Sequence, residues 1–244
     1  MIPPAEFLTW GNFNLHGGIF MKFSQEVLDT FPGICVAEGD IRSVQIALEG
    51  PRLEALKLAI IQEITSRYTL EQVKDDPVFR AYRDFFWSVG VDPTKTRPAS
   101  EALVRRILSG GKLPRINTAV DAYNLASACS GIPIAAFDAD TITGDLTLRF
   151  AKDGEQFLGI GMEKPVMLTK NQVIMTDEEQ IIAIYPYRDS DSTKVTVRTR
   201  NIRIITCGVP RIERENLIEA YNLVTGYLRE YAGGISEGAE VFPG

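Results

Sequence analysis

An α+β fold is the expectation for this chain. Candidate helices gather in its first half, period-two strand segments gather in its second, and no strand–helix alternation builds βαβ units. At 244 residues and 45% hydrophobic side chains, it is long enough to bury a real core. No internal repeat or Pro/Gly-rich linker divides it. A single domain is therefore predicted over 21–232, with a leader at 1–20 and a flexible tail at 233–244.

The leader stands apart because HGGIFM at 16–21 reads back into codons as a purine-rich ribosome-binding sequence ahead of an AUG. Met21 is thereby a candidate start, and His16, the only histidine, falls before it. From Met21 the segments KFSQEVL, GICVAEG and SVQIALEG are predicted as short β pieces, divided by Phe-Pro-Gly and Glu-Gly-Asp turns. PRLEALKLAIIQEITSRY is a first helix, with Pro51 in its opening turn and Leu53, Leu56, Ile60 and Ile64 at helical spacing. PVFRAYRDFFWSVG is a second, whose stripe of Phe79, Tyr82 and Phe86 is expected in the core rather than as a base-stacking platform. TRPASEALVRRILSGGKLPRI is a third, led by Pro98 and closed by Gly110-Gly111.

INTAVDAYN at 116–124 opens a fourth helix, where Asn117 fits the N-cap and Gly131 followed by Pro133 fits the stop. Asn117, Asp121 and Asn124 lie on one face of an otherwise apolar helix, so they either cap and brace it or hold something. Period two then takes over in IAAF and DLTLRFA, where Leu146, Leu148 and Phe150 alternate with Thr147 and Arg149. PVMLTK, QVIMT, QIIAIYPY, KVTVRT and RIITC are further strand candidates. ERENLIEAYNLVTGYLREY closes the chain as a helix striped with Leu217, Ala220, Tyr221, Val224 and Leu228.

Several chemistries are disfavoured by composition. A triad needs an imidazole base, and the one imidazole lies in the doubtful leader. DADTITGD places Ile142 and Thr143 where a calcium loop needs an acceptor and a glycine, and there is no glycine-rich phosphate loop, so no metal and no cofactor are expected. Cys35, Cys129 and Cys207 are widely separated and odd in number, so neither a disulfide frame nor a zinc site is indicated. With no signal peptide and no apolar run of ~20 residues, a cytoplasmic protein without a membrane partner is predicted. The net charge of −6 argues against gripping nucleic acid with the whole surface, and no DNA partner is expected. The positive charge is nonetheless clustered, in Lys95, Arg97, Arg105, Arg106, Lys112 and Arg115 and again in Arg188, Lys194, Arg198, Arg200 and Arg203. These are either two solvated faces or two stretches that converge on a phosphate backbone.

Residues 115–157, RINTAVDAYNLASACSGIPIAAFDADTITGDLTLRFAKDGEQF, resemble the editing module formed by the third and fourth domains of the phenylalanyl-tRNA synthetase β subunit. The points of resemblance are Val120-Asp121, Tyr123-Asn124, Pro133, Ala136-Phe137-Asp138, Gly144 and Arg149, in order and without a gap. A weaker match runs from Met21 to Thr206. The resemblance implies a layered β-sandwich-like body of mixed topology flanked by helices, on a free-standing relative of the module rather than a complete ligase.

It also implies an aminoacyl-tRNA-editing-like protein that binds a tRNA 3′ end and hydrolyses a mischarged aminoacyl ester. Asn124 matches the family's helix asparagine and is the candidate catalytic residue, orienting a water. Asn117, Asp121, Tyr123, Ala135, Tyr185 and Arg198 are the candidate substrate contacts, with Arg97, Arg105, Arg106 and Arg200 for the RNA. Tyr123 stands where the family has threonine, Ala135 where it has the pocket histidine, Ile184-Tyr185 near its paired glycines and Arg198 near its glutamate. The alternative is a non-catalytic module that binds RNA or a free amino acid with a degenerate pocket.

Overall fold

The computed structural model describes residues 20–244. The expected leader lies outside these apart from Phe20. The first sheet has the strand order β1-β4-β7-β8-β9, built from Met21–Phe23 (β1), Leu146–Phe150 (β4), Val173–Thr176 (β7), Ile181–Ile184 (β8) and Arg188–Asp189 (β9). β1 and β4 are parallel, while the remaining pairings are antiparallel, so the topology is mixed as expected. The second sheet runs β11-β2-β10-β3, from Ile235–Ser236 (β11), Val36–Arg42 (β2), Ile202–Cys207 (β10) and Ile134–Asp138 (β3); Glu240–Phe242 (β12) also pairs with β2. Gln156–Phe157 (β5) and Val166–Met167 (β6) form a separate two-stranded ribbon.

Alternation along β3 and β10 explains the layering. Ala135, Phe137, Ile205 and Cys207 join one core with Leu146, Leu148, Val173 and Met175 of the first sheet. Ala136, Ile202 and Ile204 point the other way, into a second core with the helices. All of β10 is buried, and each of its isoleucines contributes ~1.5–3 kcal/mol on burial. The helical cover consists of Pro51–Arg67 (α2), Ala99–Leu108 (α4), Thr118–Ser130 (α5) and Arg214–Ala232 (α6), α5 packing on α2, α4 and α6. Pro77–Ser88 (α3) lends its aromatic stripe to both cores, as its spacing requires.

Three sequence expectations are corrected. KFSQEVL is split: Ser24 caps a short helix, Gln25–Thr30 (α1), by accepting from the Val27 amide. SVQIALEG forms no strand, because the Val44, Gln45 and Ala47 amides donate to Arg200 O, Ala232 O and Thr118 Oγ1, three separate elements rather than one ladder. KVTVRT is likewise broken by a turn in which the Thr199 amide donates to Thr196 O at 3.1 Å.

The expected flexible tail at 233–244 instead supplies β11 and β12. Ile235 pairs with Arg42 and Glu240 with Glu38. Gly39 allows this docking, since a Cβ there would meet the Gly238 carbonyl and the Tyr221 ring.

Candidate functional site

α5 and β3 are consecutive and enclose the stretch that the sequence singles out. The Asn117 side chain caps α5 by accepting from the Ala119 and Val120 amides at 3.1 and 2.9 Å. Gly131 takes φ 74°, the left-handed conformation that ends the helix, and Ser127 Oγ donates to Ile132 O across the turn. Asp121 accepts from the Ile116 amide at 3.0 Å and stands 3.4 Å from Lys57 Nζ, with both side chains 8% exposed. Asn117 and Asp121 therefore brace the helix. Asn124 is different: it is half-buried and its amide makes no hydrogen bond among the described residues.

The two sheets meet edge to edge beside this helix. The Asp138 amide on β3 donates to Thr193 O at 2.8 Å, Phe137 bridges to Lys194, and β3 also touches β9. Asp189, on β9, is half-buried at that seam. Burial pushes its carboxyl up to about 7, against the opposing pull of the Ala136 amide and of Arg188. Tyr123, half-buried on α5, is close enough to feel it: burial first, then the charges of Asp189 and Asp121, push its phenol well above the ordinary value. Burial and then Asp189 raise the Cys207 thiol in the same way. The Asp189 charge thus reaches Tyr123, and Asn124 follows Tyr123 on the helix.

The other expected substrate residues divide. Ala135 is buried on the face of β3 turned towards the first sheet. Tyr185 is fully buried, its hydroxyl donating to Gly208 O at 2.5 Å and its ring edge-on to Phe85, so it is core rather than a pocket wall. Arg198 is exposed on the 196–199 turn. Arg200 donates to the carbonyls of Val197, Arg198 and Thr199, and so tightens that turn.

The first basic stretch is gathered and the second is dispersed. Lys95, Arg97, Arg105 and Arg106 line one groove of ≈ 700 Å³ at α4. Arg105 is held by Glu101, 0% exposed, through a 2.7 Å bond; Arg83 braces the same carboxylate at 3.0 and 3.2 Å. In the second stretch Arg188 donates to Ile160 O, Lys194 pairs with Asp191, and Arg203 is buried against Asp40 and Glu38. Arg188, Lys194, Arg198 and Arg200 are exposed, but only Arg198 and Arg200 share a turn.

Sequence reasoning missed Asp189. YRDSDS reads as a polar turn, and nothing in its spacing says that part of the run, β9, lies against a distant strand, β3.

Residues 81–233 match the B3/4 domain. The chain belongs to the B3/4 domain family. Similar curated proteins are the phenylalanine–tRNA ligase beta subunits of Latilactobacillus sakei, 34% identical over 111 residues, and of Gloeobacter violaceus, 36% identical over 107 residues. These alignments cover 44% and 43% of this chain but only 14% and 13% of the relatives, so this B3/4 chain corresponds to a small part of those proteins. Among solved structures, an N-terminal fragment of the phenylalanyl-tRNA synthetase beta subunit from Pyrococcus horikoshii superimposes with a TM-score of 0.50 at 14% identity. It covers 99% of this chain and 57% of that fragment, a likeness of fold. Among the described residues no cluster of His, Cys, Asp and Glu suits a metal ion, and no helix is long and apolar enough to cross a membrane.

Proposed function

We propose that this B3/4 protein is a cytoplasmic aminoacyl-tRNA-editing-like hydrolase that takes a tRNA 3′ end into the seam between its sheets and cleaves a mischarged aminoacyl ester. The observation that carries this reading is Asn124, a half-buried side-chain amide with no hydrogen-bond partner among the described residues, on the 115–157 stretch whose sequence resembles the editing module. Its carboxamide orients a water towards the ester carbonyl or donates to the developing oxyanion. The substrate's own ribose hydroxyl assists, so no imidazole is required. Lys95, Arg97, Arg105 and Arg106 contribute the phosphate contacts, with Arg198 and Arg200 on a second, smaller patch.

The test is incubation of the protein with a panel of aminoacyl-tRNAs, reading release of the amino acid. Deacylation of at least one, above the spontaneous rate and lowered by Asn124→Ala, supports the hydrolase.

A second reading is a binding module without chemistry, for tRNA ends or a free amino acid. It is favoured by Ala135, which supplies no functional group in the position of the family's histidine, and by Tyr185, which is locked in the core. Binding of tRNA without deacylation of any panel member would select it.

A further inference from the structure

Two neighbouring arginines of α4 are held by the same nitrogen and leave the same nitrogens free. Arg105 gives its Nε to Glu101 Oε1 at 2.7 Å, and Arg106 gives its Nε to the Lys112 carbonyl at 2.5 Å. Neither Nη of either side chain has a hydrogen-bond partner among the described residues, so each guanidinium keeps an open fork of donors. Both line the groove of ≈ 700 Å³ together with Lys95 and Arg97, and no carboxylate is among the described residues that line it. The hold on Arg105 is not what joins the helices. Arg83 of α3 already reaches both oxygens of Glu101, at 3.0 and 3.2 Å, and so ties α3 to α4. Arg105 lies four residues beyond Glu101 on the same helix, where a second bond joins no further element. What that bond fixes is the direction of a guanidinium 22% exposed, against a carboxylate that is 0% exposed. The hold on Arg106 comes from the SGGK loop at 109–112. Gly110 takes φ 70°, the Gly111 amide donates back to Arg106 O at 2.9 Å, and a Cβ on Gly111 would stand 3.0 Å from that oxygen. The two glycines thus let the chain fold back until Lys112 O meets the arginine.

We propose that Glu101 and the Gly110-Gly111 loop are the positioning elements of a site for two neighbouring phosphate groups, in which Arg105 and Arg106 each present an Nη fork to one phosphate. The phosphates are those of an RNA strand. In this the inference rests on the RNA-binding part of the reading above and deepens it, while asking nothing of ester hydrolysis. A guanidinium fork meets a phosphate through two parallel N–H···O bonds, which are stronger and more directional than contact with a point charge. An arginine that swings freely loses that freedom on binding; one already held through Nε has less to lose. Lys95, with Asp92 at 3.8 Å, and the exposed Arg97 add charge to the groove without that direction. The site also lies at the C-terminal end of α4, the negative end of the helix dipole, which favours cations gathered there before any ligand arrives. A free oligophosphate carries the same chemistry as the strand, and the experiment separates the two.

Fluorescence anisotropy of labelled, unacylated tRNA measures binding by the full chain at several salt concentrations, and calorimetry measures binding of sodium triphosphate alone. Glu101→Gln removes a negative charge beside the groove, so charge alone predicts tighter binding, whereas loss of the hold on Arg105 predicts weaker binding. The expected result is a loss of about ten- to a hundredfold at every salt concentration. Arg105→Lys keeps the charge but not the fork and should lose a similar factor. The double variant should bind no more weakly than Arg105→Lys, because Glu101 then has no fork left to direct. Thermal melting checks that each variant is folded; should Glu101→Gln fail to fold, Arg105→Lys decides. Binding of tRNA by Glu101→Gln as tight as wild type or tighter overturns the inference and leaves the RNA reading intact, and so does wild-type binding by Arg105→Lys. Where tRNA is not bound but triphosphate is, and Glu101→Gln weakens it, the positioned phosphate site stands and the RNA reading falls. Where neither is bound, the inference is overturned.

Discussion

Replacing Glu38 by glutamine should stabilise this protein at alkaline pH and leave it nearly unchanged in acid. Glu38 lies on β2, 4% exposed, with one carboxylate oxygen 3.6 Å from Arg203 Nη1 and the other, Oε2, without a hydrogen bond. Arg203 gives its better contacts to Asp40, at 2.6 and 3.1 Å, and Glu240 of the docked tail stands directly across the ladder from Glu38. Burial therefore lifts the Glu38 carboxyl from 4.5 to about 7, Arg203 opposing and Asp40, Glu240 and Asp145 adding to the rise. Because the folded-state value is raised rather than depressed, the folded protein holds this proton more tightly than the unfolded chain. Stability is lost as pH climbs from about 4.5 through about 7, and the loss is complete above that. Burial is nearly complete, so little solvent screening applies, and the displacement amounts to ~3 kcal/mol. In a chain of this size that corresponds to a Tm difference of about 6–12 °C. Urea unfolding of wild type and Glu38→Gln at pH 5 and pH 8 measures it, the difference between the two proteins cancelling every other titrating group. A difference of the same size at both pH values, or a variant less stable than wild type at pH 8, would refute the account of Glu38 as a carboxyl held in the protonated form by burial.

The remaining predictions concern the site. Asn124→Ala should lower deacylation about ten- to a thousandfold, as expected for one lost orienting or oxyanion-type hydrogen bond, with Tm within a few degrees of wild type. Asp121→Asn should do the opposite, costing about 1–3 kcal/mol in denaturant unfolding because Lys57 loses its buried partner, while the rate per folded molecule is kept. Arg97→Ala with Arg106→Ala should weaken tRNA binding and flatten the slope of log K against log salt by about one for each phosphate no longer neutralised; an unchanged slope would remove the α4 groove from the RNA surface.

Local rules carry far in this chain. The Asn117 cap, the Gly131 stop, the aromatic stripe of α3 and the alternation of Leu146 and Leu148 are set by interactions within a turn or along one strand, and each is legible at short range. The α+β class and the family resemblance were legible for the same reason. SVQIALEG and KVTVRT mark the limit: they have strand composition but no free edge to pair with, because their backbone amides are claimed by elements far away in sequence or by a local turn. The tail fails in the other direction, its polar, glycine-rich composition giving no sign that β2 has an open edge to receive it.

The candidate site divides along the same line. Asn117, Asp121 and Asn124 were visible as a polar line on an apolar helix, and spacing alone placed them on one face. Which of them was already satisfied depended on Lys57 of another helix, 64 residues away in sequence, and on amides that only the folded turn presents. Asp189 is ordinary as a residue in YRDSDS. Its character comes from the meeting of two sheet edges, whose burial raises its carboxyl against the pull of Arg188. Sequence determined which side chains exist and how each segment folds upon itself; tertiary structure alone decided which polar groups found partners, because desolvation and pairing are set by neighbours that chain order does not reveal.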